Sequence, residues 1–388
     1  MTAQVPRSDR IAVLDGLRAL AIGLVIALHA GILPGGGFGV TIFFVLSGFL
    51  ITSILLRPST LTRHGLLRFY ARRLMRLYPP LLALCVFCAA FALLVLSGHA
   101  RHLLLVEVGT SLSYTTDFYL GHGRVTRDFG YIGQTWSLAI EEQFYLLWPL
   151  LLILIQRTSR NLRGQLACVF VLMLAIIVWR AHLAAEGLGA HVGLSFDTQA
   201  DALLMGCALA LALPSIRQPL ARHPRLLDGA AAGALILILL NAVNGGADFP
   251  WRLAYPVVAV SAAVLVCRLV VPTVTSAGRL LTWVFSAPVV VFIGRISYSL
   301  YLWHPMVFAI AKRNLGLSSK SAQLLASPLL ALIILGVSWA SYRWIEQPCR
   351  RLNDRWLSEP TPTGRILGLR AGEAEPDGAD AVPSAAGQ

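Results

Sequence analysis

Apolar runs about as long as a bilayer is thick recur along this 388-residue chain, and they limit what it can become. About ten segments approach the ~20 mostly apolar residues that a membrane-crossing helix needs: 11–33, 38–56, 78–97, 136–155, 166–183, 200–213, 229–243, 253–271, 297–312 and 323–344. Only 13% of the residues are charged, where a soluble domain carries about 25%. Most of the surface is therefore not solvated, which excludes a soluble enzyme, a coiled coil and a disordered chain. The expected fold is all-α, a polytopic membrane protein of about ten transmembrane helices. Asp15 and Arg18 interrupt the first run, so it does not read as a cleaved signal. Two further apolar stretches, 103–120 and 280–296, read as interfacial or re-entrant.

The net charge of +13 does not point to nucleic acid, because the basic residues sit in short loops between apolar runs. With the N-terminus cytoplasmic, Arg101, Arg124, Arg127, Arg180, Arg252, Lys312, Arg313 and Lys320 fall outside. Roughly three-quarters of the 32 basic residues then fall inside, as the positive-inside rule expects. Residues 1–10 are thus expected to be a cytoplasmic N-terminus and 11–345 the transmembrane domain. Residues 346–388 would form a cytoplasmic tail, mostly disordered, since from Glu359 it is rich in Pro, Gly and Ala. The expected location is the plasma membrane, multi-pass. Cys85 and Cys88 form a lone CxxC spacing with no second pair, so no metal is expected.

Charges within a bilayer are costly, and each marks a candidate site. The first run carries Asp15, Arg18 and His29. Asp15 and Arg18 are three apart and able to pair. Arg18 and His29 share a face, separated by about 16 Å along the helix. Before the third run, Arg72, Arg73 and Arg76 form an RRxxR cluster in a cytoplasmic loop, suited to gripping a polyphosphate or to plain positive-inside anchoring. In the fourth run, Gln134, Ser137, Glu141, Tyr145 and Trp148 form one stripe, with Glu142 about 100° away. In the ninth, Ser297, Tyr301 and His304 form another stripe, followed by Pro305.

The chain has no GxSxG, HExxH, Walker or dinucleotide motif. A histidine in the outer half, arginines on the inner side and no nucleophile motif suggest a general base acting on a hydroxyl. A proton-coupled transporter of a small solute is the alternative reading of the same buried groups.

Six segments together resemble the membrane-bound acyltransferase 3 family over about residues 10 to 350. They are Leu14-Asp15-Gly16-Leu17-Arg18 leading to His29; Phe43 to Ile51, which includes Ser47; Arg72-Arg73-x-x-Arg76; Thr135 to Tyr145; Ile296 to Pro305; and Trp344 to Pro348. Thr41 departs from the Asp or Gln that many relatives carry before the Phe-Phe pair. The resemblance implies an integral-membrane O-acyltransferase that takes a short acyl group from cytoplasmic acyl-CoA, a co-substrate. The acceptor would be a hydroxyl of a sugar-containing molecule, either a cell-envelope glycan or an antibiotic glycoside such as a macrolide. It implies His29 as catalytic base and Arg18 as supporting charge, with Glu141 as a further site residue; as a catalytic group, Glu141 would orient the imidazole or stabilise it once charged. Arg72, Arg73 and Arg76 would face acyl-CoA, with Asp15, Ser47, Glu142, Tyr301 and His304 as other site residues. Direct attack and an acyl-histidine step are both compatible with these residues. The Ala-, Arg- and Gly-rich composition, with Lys312 and Lys320 the only lysines, is typical of a GC-rich genome and favours the antibiotic glycoside.

Overall fold

The computed structural model describes residues 7–122, 130–245, 251–272, 274–314, 316 and 320–357. Most of the expected N-terminal segment, Arg124, Arg127 and residues 358–388 of the expected tail lie outside the described residues. Sixteen α-helices and no strand form the regular structure of those described. They are α1 (Arg7–His29), α2 (Phe38–Leu55), α3 (Arg63–Leu94), α4 (Gly98–Leu112), α5 (Thr116–Gly121), α6 (Trp136–Thr158), α7 (Leu162–Ala185) and α8 (Gly189–Leu194). There follow α9 (Phe196–Arg222), α10 (Pro224–Asn244), α11 (Trp251–Val270), α12 (Ser276–Ser286), α13 (Pro288–Arg295), α14 (Ser297–Arg313), α15 (Lys320–Ser341) and α16 (Gln347–Leu357). A π-turn, Tyr342–Glu346, leads into α16.

Each expected span is helical. Among the described residues, eight helical segments are long and apolar enough to cross a membrane, or nine if α12 and α13 count as one, so the protein is a multi-pass membrane protein. Of the other two expected spans, α11 has a shorter apolar run, Ala254–Val270, and α14 has 17 residues. Helix α14 has no need to be apolar all round, because protein covers it: Ser297, Ser299, Tyr301 and His304 are all buried. The stretch 280–296 is the bent pair, turning by 52° between α12 and α13.

Close backbone contacts set the centre of the bundle. A Cβ on Gly48 of α2 would stand 1.9 Å from the Leu203 carbonyl oxygen of α9, and one on Gly206 of α9 would stand 2.0 Å from that of Val45. Helix α1 meets the bent pair in the same way. A Cβ on Gly16 would lie 1.9 Å from the Phe285 oxygen, and one on Gly294 would lie 1.8 Å from the Asp15 oxygen. In lipid, where apolar faces gain little by meeting, such small-residue contacts let helices pack tightly.

Two expectations need correction. The RRxxR segment is not a loop; it is the first part of α3, which runs unbroken through Pro79 and Pro80. Thr62 starts that helix by accepting from the Gly65 amide. Beside the prolines, which lack N–H donors, the Tyr298 hydroxyl donates to the Leu77 carbonyl at 2.6 Å. Arg180, near the end of the expected span 166–183 and counted with the outer residues, is buried in α7 at 1% exposure, because α7 packs this side chain against α9. Its guanidinium donates to both Asp201 oxygens at 2.9 and 2.8 Å and to the Thr198 carbonyl at 2.7 Å. It also lies 5.5 Å from the Tyr255 ring centre. Residues 347–357 of the expected tail form α16, where Asn353 donates to the Arg72 carbonyl of α3 at 3.1 Å.

Arg180→Ala would strand Asp201 without its partner and is expected to cost about 3–5 kcal/mol. The thermal midpoint of detergent-purified protein checks this against exposed Arg157→Ala, expected to stay within about 0.5 kcal/mol of the parent.

Candidate active site

Helices α1, α2, α3, α6 and α14 turn their polar residues toward one another, and the result is two cavities. The inner one, about 80 Å³, is lined among others by Arg18, Arg73, Arg76, Ser47, Glu141 and Tyr145. Three guanidinium groups and one carboxylate line it, and one of the three, Arg18, is paired with Asp15. The outer one, about 800 Å³, is lined by His29, Thr41, Gln134, Trp136, Gln199 and Tyr255 along with the glycines of α8 and its flanks. A larger open cleft of about 1020 Å³ lies elsewhere, beside Arg222, Asp228 and Thr275, and holds none of the expected site residues.

On α1, the Arg18 guanidinium donates to Asp15 at 2.6 Å, and Arg295 of α13 approaches the other Asp15 oxygen at 3.9 Å. The expected pair is therefore formed, beside the smaller cavity. On α6, Glu141 accepts from the Ser47 hydroxyl at 3.0 Å and from the Tyr145 hydroxyl at 2.8 Å. Arg73 lies over the Tyr145 ring, 4.4 Å from its centre. Glu142, half-buried one position further on, faces the electrostatic field of Arg73. Arg73 and Arg76 line the chamber; Arg72 does not, its side chain being exposed. The helical continuation of α3 decides which of the three point inward.

The histidines form a pair that their separate stripes did not suggest. His304 Nε2 lies 3.3 Å from His29 Nδ1, and the rings meet edge-on with centres 4.9 Å apart. Backbone carbonyls assign the protons. Val25 O is 2.9 Å from His29 Nδ1, and Leu300 O is 2.8 Å from His304 Nδ1. A carbonyl only accepts, so each Nδ1 carries the hydrogen and each Nε2 a lone pair. The His29 Nδ1–H is thus shared between Val25 O and His304 Nε2, and its own Nε2 is left basic. The described contacts of Glu141 are to Ser47 and Tyr145, so Val25 and His304 orient the imidazole in its place.

The Tyr301 hydroxyl lies 2.5 Å from Ser137 Oγ and donates to the Gln134 carbonyl at 2.9 Å. Further out, the Glu107 carboxylate, 3% exposed, accepts from the amides of Tyr131 and Ile132 at 2.9 and 3.1 Å. It therefore holds the chain that leads into Gln134 and α6. Sequence reading passed over Glu107; its signal was a carboxylate within the apolar stretch 103–120, which also holds Asp117. Among the described residues, no group of three or more His, Cys, Asp or Glu side chains is placed to share a metal ion.

The profile of the acyltransferase 3 family, described as an acyltransferase domain, matches residues 11–343. The chain belongs to that family. It is 31% identical over 351 residues to the peptidoglycan O-acetyltransferase OatA of Listeria monocytogenes, covering 87% of this chain and 55% of that one. It is also 31% identical over 375 residues to YrhL of Bacillus subtilis, a candidate peptidoglycan O-acetyltransferase, covering 91% and 57%. An O-acetyltransferase candidate of Staphylococcus aureus strain COL is 29% identical over 366 residues, covering 87% and 57%. The chain thus spans little more than half the length of these relatives. No solved structure matches it. The protein is a multi-pass acyltransferase-family protein of the membrane.

Glu107→Ala would remove the carboxylate that accepts from the Tyr131 and Ile132 amides and is expected to lower stability by about 1–3 kcal/mol. A thermal melt of the purified protein checks this.

Proposed function

We propose that this protein is an O-acyltransferase that moves an acetyl or other short acyl group from acyl-CoA to a hydroxyl of a sugar-containing acceptor. The observation that carries the reading is the sequence of chambers: a cationic inner one, then an outer one where His29 presents a bare Nε2. The inner end faces the cytoplasm in this reading, as the distribution of basic residues favours. The phosphates of acyl-CoA cannot enter hydrocarbon; they dock at Arg73 and Arg76, with Arg72 at the entrance. The pantetheine arm passes Arg18 and carries the thioester toward His29, about 16 Å further along α1.

The acceptor enters the outer chamber, where Trp136 and Tyr255 offer rings and Gln134 and Gln199 offer amides. His29 Nε2 takes the hydroxyl proton as that oxygen attacks the thioester carbonyl. The imidazolium then holds its Nδ1–H against Val25 O and His304 Nε2, two acceptors already in place. The C–S bond breaks, and His29 returns the proton to the departing thiolate. The names of the relatives support a peptidoglycan-like glycan as acceptor. The GC-rich composition adds macrolide glycosides to the set to be tried.

Purified protein mixed with acetyl-, propionyl- and butyryl-CoA and a panel of glycans and macrolides tests the reading through free thiol and product mass. Acceptor-dependent thiol release is expected, with His29→Ala lowering the rate by about 10²–10⁴-fold. Undiminished transfer by His29→Ala would overturn the mechanism. Solute movement without acyl-CoA would favour the transporter. Arg73→Ala combined with Arg76→Ala is expected to raise the donor KM by about 10–100-fold, read from initial rates across donor concentrations.

A further inference from the structure

The two chambers share a seam. Of the residues that line them, Val40 and Tyr301 line both. Tyr301 is 6% exposed and held from several sides. Its hydroxyl is tied to Ser137 Oγ and the Gln134 carbonyl, and the Phe43 ring packs edge-on with centres 6.2 Å apart. The His304 ring lies 5.9 Å away, one helical turn further on. Gln134 is itself anchored, its Nε2 donating to the Leu302 carbonyl at 3.2 Å. The ring is thus fixed between α6 and α14, where an inner space of about 80 Å³ meets an outer one of about 800 Å³.

We propose that Tyr301, latched to Ser137 and Gln134, is the partition between the donor and acceptor chambers and sets the length of acyl group that reaches His29. The inference rests on the acyltransfer reading above. An acyl group arriving from the arginines meets the ring before it meets the imidazole, and the narrow inner space admits a short chain more readily than a long one. The same ring keeps acceptor-side water from the waiting thioester. If water passed, its oxygen would attack the carbonyl, the C–S bond would break, and the products would be a carboxylic acid and the free thiol. Tyr301 acts through the path it bounds, so it is a positioning and specificity residue.

The experiment compares wild type, Tyr301→Phe and Tyr301→Ala in detergent, with acetyl-CoA and butyryl-CoA, in the presence and absence of acceptor. Tyr301→Phe keeps the ring and loses the latch. It is expected to raise acceptor-independent thiol release relative to transfer by about fivefold, because water exclusion is what the latch maintains. Tyr301→Ala removes the ring and is expected to shift transfer toward butyryl by about tenfold, the scale of discrimination that one or two methylenes carry. Both readings are ratios within one preparation, so partial loss of folded protein cancels. A Phe variant with the wild-type ratio overturns the partition even if the Ala variant yields no folded protein. So does an Ala variant with unchanged chain preference. Wild type that transfers from none of the donors overturns the acyltransfer reading itself.

Discussion

A charged side chain surrounded by hydrocarbon has no water to bond, so it must find its partner within the protein. That constraint organises this bundle. Arg180 reaches from α7 to Asp201 on α9, and Arg268 of α11 reaches Asp228 of α10 at 2.5 Å. Asp15 meets Arg18 on the same helix, and Glu141 is satisfied by Ser47 and Tyr145. Arg18, Glu141, Ser47 and Tyr145 line the inner chamber, while the other two ion pairs tie α7 to α9 and α10 to α11. The outward faces of α3, α7, α10 and α15 are left to Leu, Val, Ile and Phe, several of them more than half exposed.

Small residues supply the second half of the arrangement. Reciprocal glycine contacts bring α2 onto α9 and α1 onto the bent α12–α13 pair at backbone distance. Helix α1 carries both Arg18 and His29, so its position sets both chambers at once. The backbone also does chemistry there. Helical carbonyls at Val25 and Leu300, each four residues before its histidine, hold both imidazoles in the tautomer that leaves Nε2 bare. The His29 imidazole is therefore oriented by the helix that carries it, and the neighbouring histidine takes a share of its Nδ1 proton.

Much of this was legible in the chain. The spans could be read because a helix in lipid must be apolar over a fixed length, and α1, α2, α6, α7 and α10 are. The Asp15–Arg18 pair and the inward stripe of Ser137, Glu141 and Tyr145 followed from helical periodicity. Helix α14 was less legible: protein surrounds it, and a helix that touches little lipid need not be apolar. The extension of α3 across Pro79 and Pro80 was hidden because local proline rules argue for a break, while a tertiary hydroxyl from Tyr298 lies beside the gap.

The family, the membrane and the residue types of the site were decided by the sequence alone, because apolar length and helical spacing are local properties. The contacts between sites remote in the chain were decided only by tertiary structure. His29 and His304 are 275 positions apart, as the hydrogen bond between them records, and each sits on its own stripe. Spacing along one helix says nothing of which stripe on another will face it. Whether Arg72 or Arg73 points inward, and whether Glu141 serves the histidine or the arginines, depends on how the helices rotate against one another. That rotation is set by glycine contacts and buried ion pairs that close only when the bundle is assembled.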